Sequence, residues 1–179
     1  MSYVNINTAT AAPASQEMLK QIHAAFGTTP NMFKVVSNSP EALKSMWGSF
    51  GALGSGTLGA KLGEQLAVAI ANRNKCEYCL AAHTALGQGA GVSGEDMTAA
   101  QMGKSPDPKI QAALTFALKI VEQRAAISQA DIEAVRTAGF NDREIVEIMA
   151  HVALNLFTNY VNVAFKVPVD FPKVALAPT

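Results

Sequence analysis

Thiols are rare in this sequence, which has only two cysteines in 179 residues. Both lie in one octapeptide, CEYCLAAH at 76–83, together with one of the three histidines. A chain of this length can bury roughly 70% of its unfolded surface, so its core does not need disulfide staples. Two cysteines placed three residues apart in such a chain indicate a redox pair or a metal site.

An excess of charge is also missing. The chain has 14 acidic and 14 basic residues, and charged residues make up 16% of it, against 49% hydrophobic residues. This balance gives no electrostatic reason to expect a nucleic acid or an anionic membrane as partner. Low charge and many alanines favour faces that can be buried between subunits.

Long apolar runs are absent as well. The first fifteen residues lack a basic region followed by an apolar one, so they do not predict a secretory signal. The run LAVAIA at 66–71 is far shorter than the ~20 residues that cross a bilayer. We therefore expect a cytoplasmic protein, and in a reducing compartment a C-x-x-C pair is more often catalytic or metal-binding than a permanent crosslink.

Amphipathic patterns of helical period follow one another along the chain, and no alternating β pattern of useful length occurs. They predict an all-α, single-domain bundle over residues 1–179, with an extended, proline-containing tail at 167–179. Helix boundary signals are Gly27 as a C-cap, Ser39 before Pro40, Ser93 with Asp96, Ser128 with Asp131, and Asn141 with Glu144. Six glycines within 48–63 predict a frayed helix end and a flexible loop, with close helix packing as the alternative.

On a helix starting near Cys76, residues 76, 79 and 83 share one face. Cys76 would lie in the first turn, where the helix dipole stabilises a thiolate, the reactive form of the side chain. Dipole reasoning thus favours Cys76 as the more acidic and more exposed thiol, whereas proximity to His83 favours Cys79. The spacing also suits a reversible disulfide.

A catalytic dithiol needs a proton carrier, and Glu64 is the nearest acidic candidate on the preceding helix. It lies among Leu62, Leu66 and Val68 on a segment otherwise short of charge. The sequence leaves two alternatives open. Glu64 is either a partly buried proton carrier or a residue on the exposed face of an amphipathic helix.

The chain resembles the AhpD-like alkylhydroperoxidases of the carboxymuconolactone decarboxylase superfamily in one spaced pattern. This pattern is Glu64, eleven intervening residues and then C-x-x-C-x-x-x-H. The segments PNMFKVVSNSP at 30–40 and NLFTNYVNVAFKVPVDFP at 155–172 are similar to its peroxidase-related subgroup. The spacing from glutamate to cysteine pair to histidine is specific, whereas C-x-x-C alone is a weak signal.

The resemblance implies an AhpD-like helical bundle that forms homo-oligomers, trimers or hexamers, and reduces hydroperoxides without a bound cofactor. It implies that Cys79 attacks the peroxide, that Cys76 closes the disulfide, and that Glu64 and His83 relay protons. An external dithiol, lipoyl or thioredoxin-like, would restore the pair. The best-known members have a histidine directly before the second cysteine. Here that residue is Tyr78, a far poorer proton carrier near pH 7.

Other interpretations remain open. A decarboxylase or lactone-handling enzyme on the same scaffold would not depend on the cysteine pair, so the pair disfavours it. Zinc has four potential ligands here, but three donors along one helix fit a tetrahedral site poorly. A non-enzymatic interaction module is the third alternative. On the last predicted helix, His151 and Asn155 are candidate pocket or relay residues, although their positions fit core packing or subunit contact equally well.

Overall fold

The computed structural model describes residues 2–178, and every regular element in that range is helical. The predicted all-α fold class is thus confirmed. A 3₁₀ turn at Thr8–Thr10 comes first. The α-helices are α1 (Pro13–Phe26), α2 (Asn31–Val36), α3 (Pro40–Gly54), α4 (Gly59–Arg73), α5 (Glu77–Gly89), α6 (Gly94–Gln101), α7 (Pro108–Glu122), α8 (Gln129–Thr137) and α9 (Asp142–Ala164). No helix in the described range is long and apolar enough to cross a membrane.

Local sequence signals fix most helix ends. The Ser39 side chain accepts a hydrogen bond from the Ala42 amide and starts α3, with Pro40 at the first helical position. Capping boxes start α8 and α9, at Ser128 and Asn141 respectively. Gly27 ends α1 in the left-handed conformation, at φ 70°.

Helix α4 lies at the centre of the bundle and packs against α5, α6, α7 and α9. Its residues from Gln65 to Asn72 are all buried, which explains why this segment is apolar around most of its circumference. A helix covered on all sides has a fixed axis and rotation. It can therefore hold a charged side chain in a defined position relative to α5.

A tight turn joins α4 to α5. Lys75 adopts a left-handed conformation, with φ 54°, and the Cys76 amide donates to the Ala71 carbonyl oxygen over 2.9 Å. The chain reverses within three residues, and α4 and α5 form a helical hairpin. The hairpin brings residues near the start of α4 beside the second turn of α5.

The glycine-rich segment differs from the prediction. Helix α3 continues without a break through Gly48 and Gly51, and the irregular connection to α4 covers only residues 55–58. The Glu147 carboxylate on α9 holds this connection by accepting hydrogen bonds from the Thr57 amide, the Thr57 hydroxyl and the Leu58 amide. The Thr57 hydroxyl is the main cause that lowers the pKa of Glu147 to about 2. The predicted frayed helix end and flexible loop are therefore wrong.

The sequence pattern also missed the short helix α2, which lies against α3 and α9. The chain after α9 has no helix or strand up to residue 178 and runs back over the bundle. The Asp170 carboxylate accepts a hydrogen bond from the Asn31 amide over 2.8 Å, and Phe171 packs against the core. Together α2 and the tail close one side of the region around α5.

Candidate active site

The two cysteines form one buried unit at the start of α5. Cys76 is the N-cap residue, and its Sγ accepts a hydrogen bond from the Cys79 amide over 3.2 Å. Both thiols are free, and the exposed fractions of Cys76 and Cys79 are only 1% and 2%. The two cysteines are therefore neighbours in the first turn of α5 before any disulfide forms.

Cys79 is the more acidic thiol. Burial opposes its ionisation, but hydrogen bonding from the Cys76 thiol and the positive charge of His83 outweigh burial. The side-chain amide of Asn162 donates to Cys79 Sγ over 3.1 Å, and Asn159 makes a smaller contribution. Together these groups lower the pKa of Cys79 to about 7. A substantial fraction of this sulfur is thiolate at neutral pH.

Of the two alternatives for the more acidic thiol, the structure favours Cys79 over Cys76, and both cysteines are buried. Hydrogen bonding to Cys79 and burial raise the pKa of Cys76, and the backbone amides of Cys79 and Tyr78 offset this only in part. The dipole argument considers only the start of the helix. In the folded chain, the negative charge on Cys79, one turn away, outweighs the effect of the dipole on Cys76.

Glu64 and His83 form an ion pair across the α4–α5 hairpin. The distance between Glu64 Oε2 and His83 Nδ1 is 2.7 Å, and the side chains are 21% and 11% exposed. Burial alone would lower the pKa of His83, but the charge of Glu64, its hydrogen bond and the charge of Cys79 raise it. Of the two alternatives for Glu64, the structure shows the partly buried one. The raised pKa favours the protonated form of His83, which lies one turn after Cys79 on α5.

An apolar cavity reaches Cys79. This aromatic cavity has a volume of about 30 Å³. The rings of Phe26, Phe33, Phe50, Tyr78 and Phe171 line it, and so do Cys79, His83, Thr158 and Asn162. Four of these rings are phenyl groups. Three come from the first third of the chain, and Phe171 comes from the C-terminal tail. Cys76 is not among the lining residues.

A second cavity, of about 180 Å³, lies on the other side of His83. We call it the polar cavity, because Glu64, His151 and Asn155 line it beside apolar residues such as Leu53 and Leu154. His83 lines both cavities. Burial lowers the pKa of His151, so this ring is neutral near pH 7. His151 lies close against Gly63, where a Cβ atom would be 3.1 Å from its Cε1. The polar cavity gives Glu64 a route for protons that does not pass through the aromatic cavity.

The sequence model of the carboxymuconolactone decarboxylase family matches residues 40–123, which include Glu64, both cysteines and His83. The solved structure of a peroxidase-related protein from Silicibacter sp. TM1040 is 26% identical. It superposes with a TM-score of 0.82 and covers 97% of this chain and 92% of its own. Residues 40–123 of the chain are thus similar to the carboxymuconolactone decarboxylase family.

Two other solved structures share the fold. The AhpD-core, peroxidase-related protein from Ralstonia eutropha JMP134 is 22% identical, with a TM-score of 0.82 over 94% of this chain and 92% of its own. The debrominase Bmp8 in complex with 2,3,4-tribromopyrrole is 18% identical, with a TM-score of 0.76 over 92% of both chains. The AhpD-like helical fold is thus shown for this chain. No curated protein matches the sequence.

Tyr78 has a structural position in this chain. Its hydroxyl oxygen accepts a hydrogen bond from the Met32 amide over 3.2 Å, and its ring packs edge-on against Phe171 at 5.7 Å. Burial raises the pKa of Tyr78 above its usual range. The phenol stays protonated and forms part of the cavity wall, and a role as proton carrier, the alternative for this position, is not supported.

Sequence reasoning missed Asn162, the closest polar partner of Cys79 outside α5. Asn155, Asn159 and Asn162 are spaced i, i+4, i+7 on α9 and are all buried. Three asparagines on the core-facing side of an apolar helix were the available signal, because buried amides need partners. Asn155 does not contact the dithiol. It donates to the His151 carbonyl oxygen over 2.9 Å and lines the polar cavity.

We expect Asn162→Ala to reduce the alkylation rate of Cys79 at neutral pH roughly tenfold, because a hydrogen bond to the thiolate is lost and the pKa of Cys79 rises. The measurement is the rate of iodoacetamide reaction against pH, resolved by cysteine. Asn155→Ala is the matched control, since it removes a buried amide from the same helix face without touching sulfur. Equal rates in the Asn162→Ala and wild-type proteins would show that this amide does not stabilise the thiolate.

Within residues 2–178, no three His, Cys, Asp or Glu side chains lie close enough together to hold a metal ion. Glu64 and His83 are paired with each other, and Cys76 contacts Cys79. The donors proposed for zinc are thus divided into two pairs instead of converging on one point.

Proposed function

We propose that this protein is a dithiol peroxidase that reduces organic hydroperoxides at Cys79. The observation that carries the proposal is the position of Cys79. Its sulfur has a lowered pKa, contacts a second thiol, and lies at the wall of an apolar cavity beside an imidazolium. A nucleophile, a resolving thiol and a proton donor are what two-electron peroxide reduction requires.

The reaction begins when the Cys79 thiolate attacks the distal peroxide oxygen. The O–O bond breaks, the sulfur becomes a sulfenic acid, and the leaving alkoxide takes a proton from the His83 imidazolium. The Cys76 thiol then attacks the sulfenic sulfur, which forms the Cys76–Cys79 disulfide and releases water. Glu64 returns a proton to His83 from the polar cavity. An external dithiol restores both thiols.

A single-turnover experiment tests the proposal. One equivalent of cumene hydroperoxide should convert the reduced protein to a species two hydrogen atoms lighter, with one molecule of alcohol formed per chain. The matched control is the Cys76→Ser/Cys79→Ser double variant, which keeps the size of both side chains. Consumption of peroxide by the double variant at the wild-type rate would refute the proposal.

Self-association belongs to the same proposal. Several apolar side chains on α9 are exposed in the single chain: Val146, Met149, Phe157 and Tyr160. Monomeric proteins rarely leave such a row of apolar side chains uncovered along one helix. We infer that a second copy covers this face of α9, in agreement with the homo-oligomer implied by the sequence resemblance.

Reductive debromination of an aromatic ring is a second candidate, favoured by one observation. The phenyl rings around Cys79 can stack on a planar ring, and the Bmp8 debrominase shares the fold. In such a reaction the dithiol supplies two electrons, hydrogen replaces bromine on carbon, and bromide and the disulfide are the other products. Bromide release from a brominated pyrrole by the reduced protein would distinguish this activity from peroxide reduction.

A further inference from the structure

A third opening reaches the dithiol from the Cys76 side. This Cys76 mouth has a volume of about 270 Å³ and is lined by Lys75, Cys76, Glu77, Tyr78, Asn162, Val163, Lys166, Val167 and Val169. Cys79 is not among its lining residues, just as Cys76 is not among those of the aromatic cavity. Tyr78 and Asn162 line both and therefore form the wall between them. The two openings thus approach the two cysteines from different sides.

Two lysines at the Cys76 mouth occupy positions that favour glycine. Lys75 and Lys166 follow the ends of α4 and α9 in the left-handed conformation, with φ 54° and 49°. Glycine adopts this conformation without steric cost, whereas lysine adopts it only at a steric cost. Both lysines line the Cys76 mouth, and the Lys166 ammonium lies over the Tyr3 ring, 4.8 Å from its centroid. Neither lysine forms an ion pair with any residue from 2 to 178.

One carboxylate opposes these charges. Glu77 also lines the Cys76 mouth, so two cations and one anion surround it and the balance is one positive charge. The aromatic cavity on the other side of Tyr78 has no lysine, arginine, aspartate or glutamate among its lining residues. His83 lines the aromatic cavity, but Glu64 balances its charge. A negatively charged molecule is therefore attracted to the Cys76 mouth more than to the cavity at Cys79.

We propose that a thiol reductant carrying negative charge near its sulfur enters the Cys76 mouth and attacks Cys76 of the oxidised pair. The proposal rests on the proposed dithiol cycle and adds the route and the chemical class of the electron donor. Hydroperoxide and reductant then approach different sulfur atoms through different openings, on either side of Tyr78 and Asn162.

The direction of attack follows from the leaving group. The reductant thiolate bonds to Cys76 Sγ, the Cys76–Cys79 bond breaks, and Cys79 leaves as a thiolate that accepts the Asn162 amide hydrogen bond. The more acidic thiol leaves faster in such an exchange. A second thiolate of the reductant then attacks the reductant sulfur that is bonded to Cys76 in the mixed disulfide. Cys76 departs and takes up a proton, and the reductant becomes a disulfide.

The test uses the disulfide formed with diamide, in the absence of any peroxide. Three small thiols serve as probes: 2-mercaptoethanesulfonate, 2-mercaptoethanol and 2-aminoethanethiol, whose second groups are anionic, neutral and cationic. The rate of mixed-disulfide formation is measured by mass spectrometry after an acid quench and divided by the thiolate concentration of each probe. Peptide analysis then identifies the cysteine that carries the adduct.

We expect the anionic thiol to react about fivefold faster than the cationic one at low ionic strength, and high salt to remove the difference. In the Lys75→Gly/Lys166→Gly variant only Glu77 remains, so the order should reverse. Glycine suits both left-handed positions, so the fold should be kept. Lys44→Gln, an exposed lysine that lines none of the three openings, should behave like the wild-type protein. Adducts should form on Cys76.

Rates that are independent of probe charge, or adducts on Cys79, would overturn this inference and leave the peroxidase proposal intact. A charge preference that persists unchanged in the double glycine variant would also overturn it, since the lysines would not be its source. If diamide forms no disulfide between Cys76 and Cys79, the inference and the proposed dithiol cycle both fail.

Discussion

Cys79→Ser is expected to lower the rate of hydroperoxide reduction by roughly a thousandfold or more, because a serine hydroxyl is not ionised near neutral pH and cannot replace the thiolate. The lost group is the one whose pKa the structure lowers to about 7. The measurement is the second-order rate constant for peroxide consumption by the pre-reduced protein. Serine conserves the volume of the site, so an effect of this size would report chemistry and not a packing defect.

Cys76→Ser gives the matched comparison, since it replaces the other sulfur of the pair, which accepts a hydrogen bond from the Cys79 amide. It should still consume one equivalent of peroxide and then stop, with Cys79 trapped as a sulfenic acid that dimedone labels. The hydrogen bond from the Cys76 thiol is one cause of the low pKa of Cys79, so the first turnover should also be slower. If Cys79→Ser kept the burst and Cys76→Ser lost it, the two roles would be reversed.

Glu64→Gln should reduce peroxide turnover at neutral pH by about a hundredfold, the typical contribution of a positioned proton donor. The substitution keeps the shape of the side chain and removes the charge that raises the pKa of His83 against burial. His83 then loses its proton at neutral pH. Cys79 then lacks the nearby positive charge of His83, and the pKa of Cys79 rises. Both the thiolate fraction and the supply of protons to the leaving alkoxide fall.

The pH dependence separates these two effects. Wild-type Cys79 should gain alkylation reactivity as the pH rises through about 7. In Glu64→Gln this increase should move to higher pH and then reach the wild-type plateau. Peroxide reduction should not recover at high pH, since His83 has no proton to give. The control is Glu95→Gln, an exposed carboxylate on α6 that lines none of the three openings. Full recovery of peroxide reduction at alkaline pH would show that His83 is not the proton donor.

The parts of the site that lie on one helix were predictable from the sequence. Helical period alone places Cys76, Cys79 and His83 on one face. Glu64 required one more step, the tight turn at Lys75 that folds α4 back along α5. The sequence pattern gives the existence of such a turn but not its geometry. Whether Glu64 was exposed or paired thus stayed open until the structure placed its carboxylate 2.7 Å from His83.

The remaining parts come from distant segments and could not be predicted in this way. Asn162 lies 83 residues after Cys79, and Phe171 closes the aromatic cavity from the tail. Their contacts depend on how α9 packs against α4 and α5, which no local signal specifies. The glycines of α3 show the same limit. Their low helix propensity predicts a break at Gly48 and Gly51, but tertiary packing overrides it.

The groups around Cys79 also determine how easily its disulfide is reduced. The thiolate form of Cys79 is favoured by Asn162, His83 and the Cys76 thiol. In the disulfide the sulfur carries no negative charge, so these interactions are lost. Their interaction energy is therefore gained only when the bond is broken. Stabilising the reduced form makes a dithiol pair more oxidising. The same hydrogen bonds that activate the nucleophile thus raise the midpoint potential of the pair, and the oxidised enzyme should accept electrons from donors too weak to open an ordinary structural crosslink.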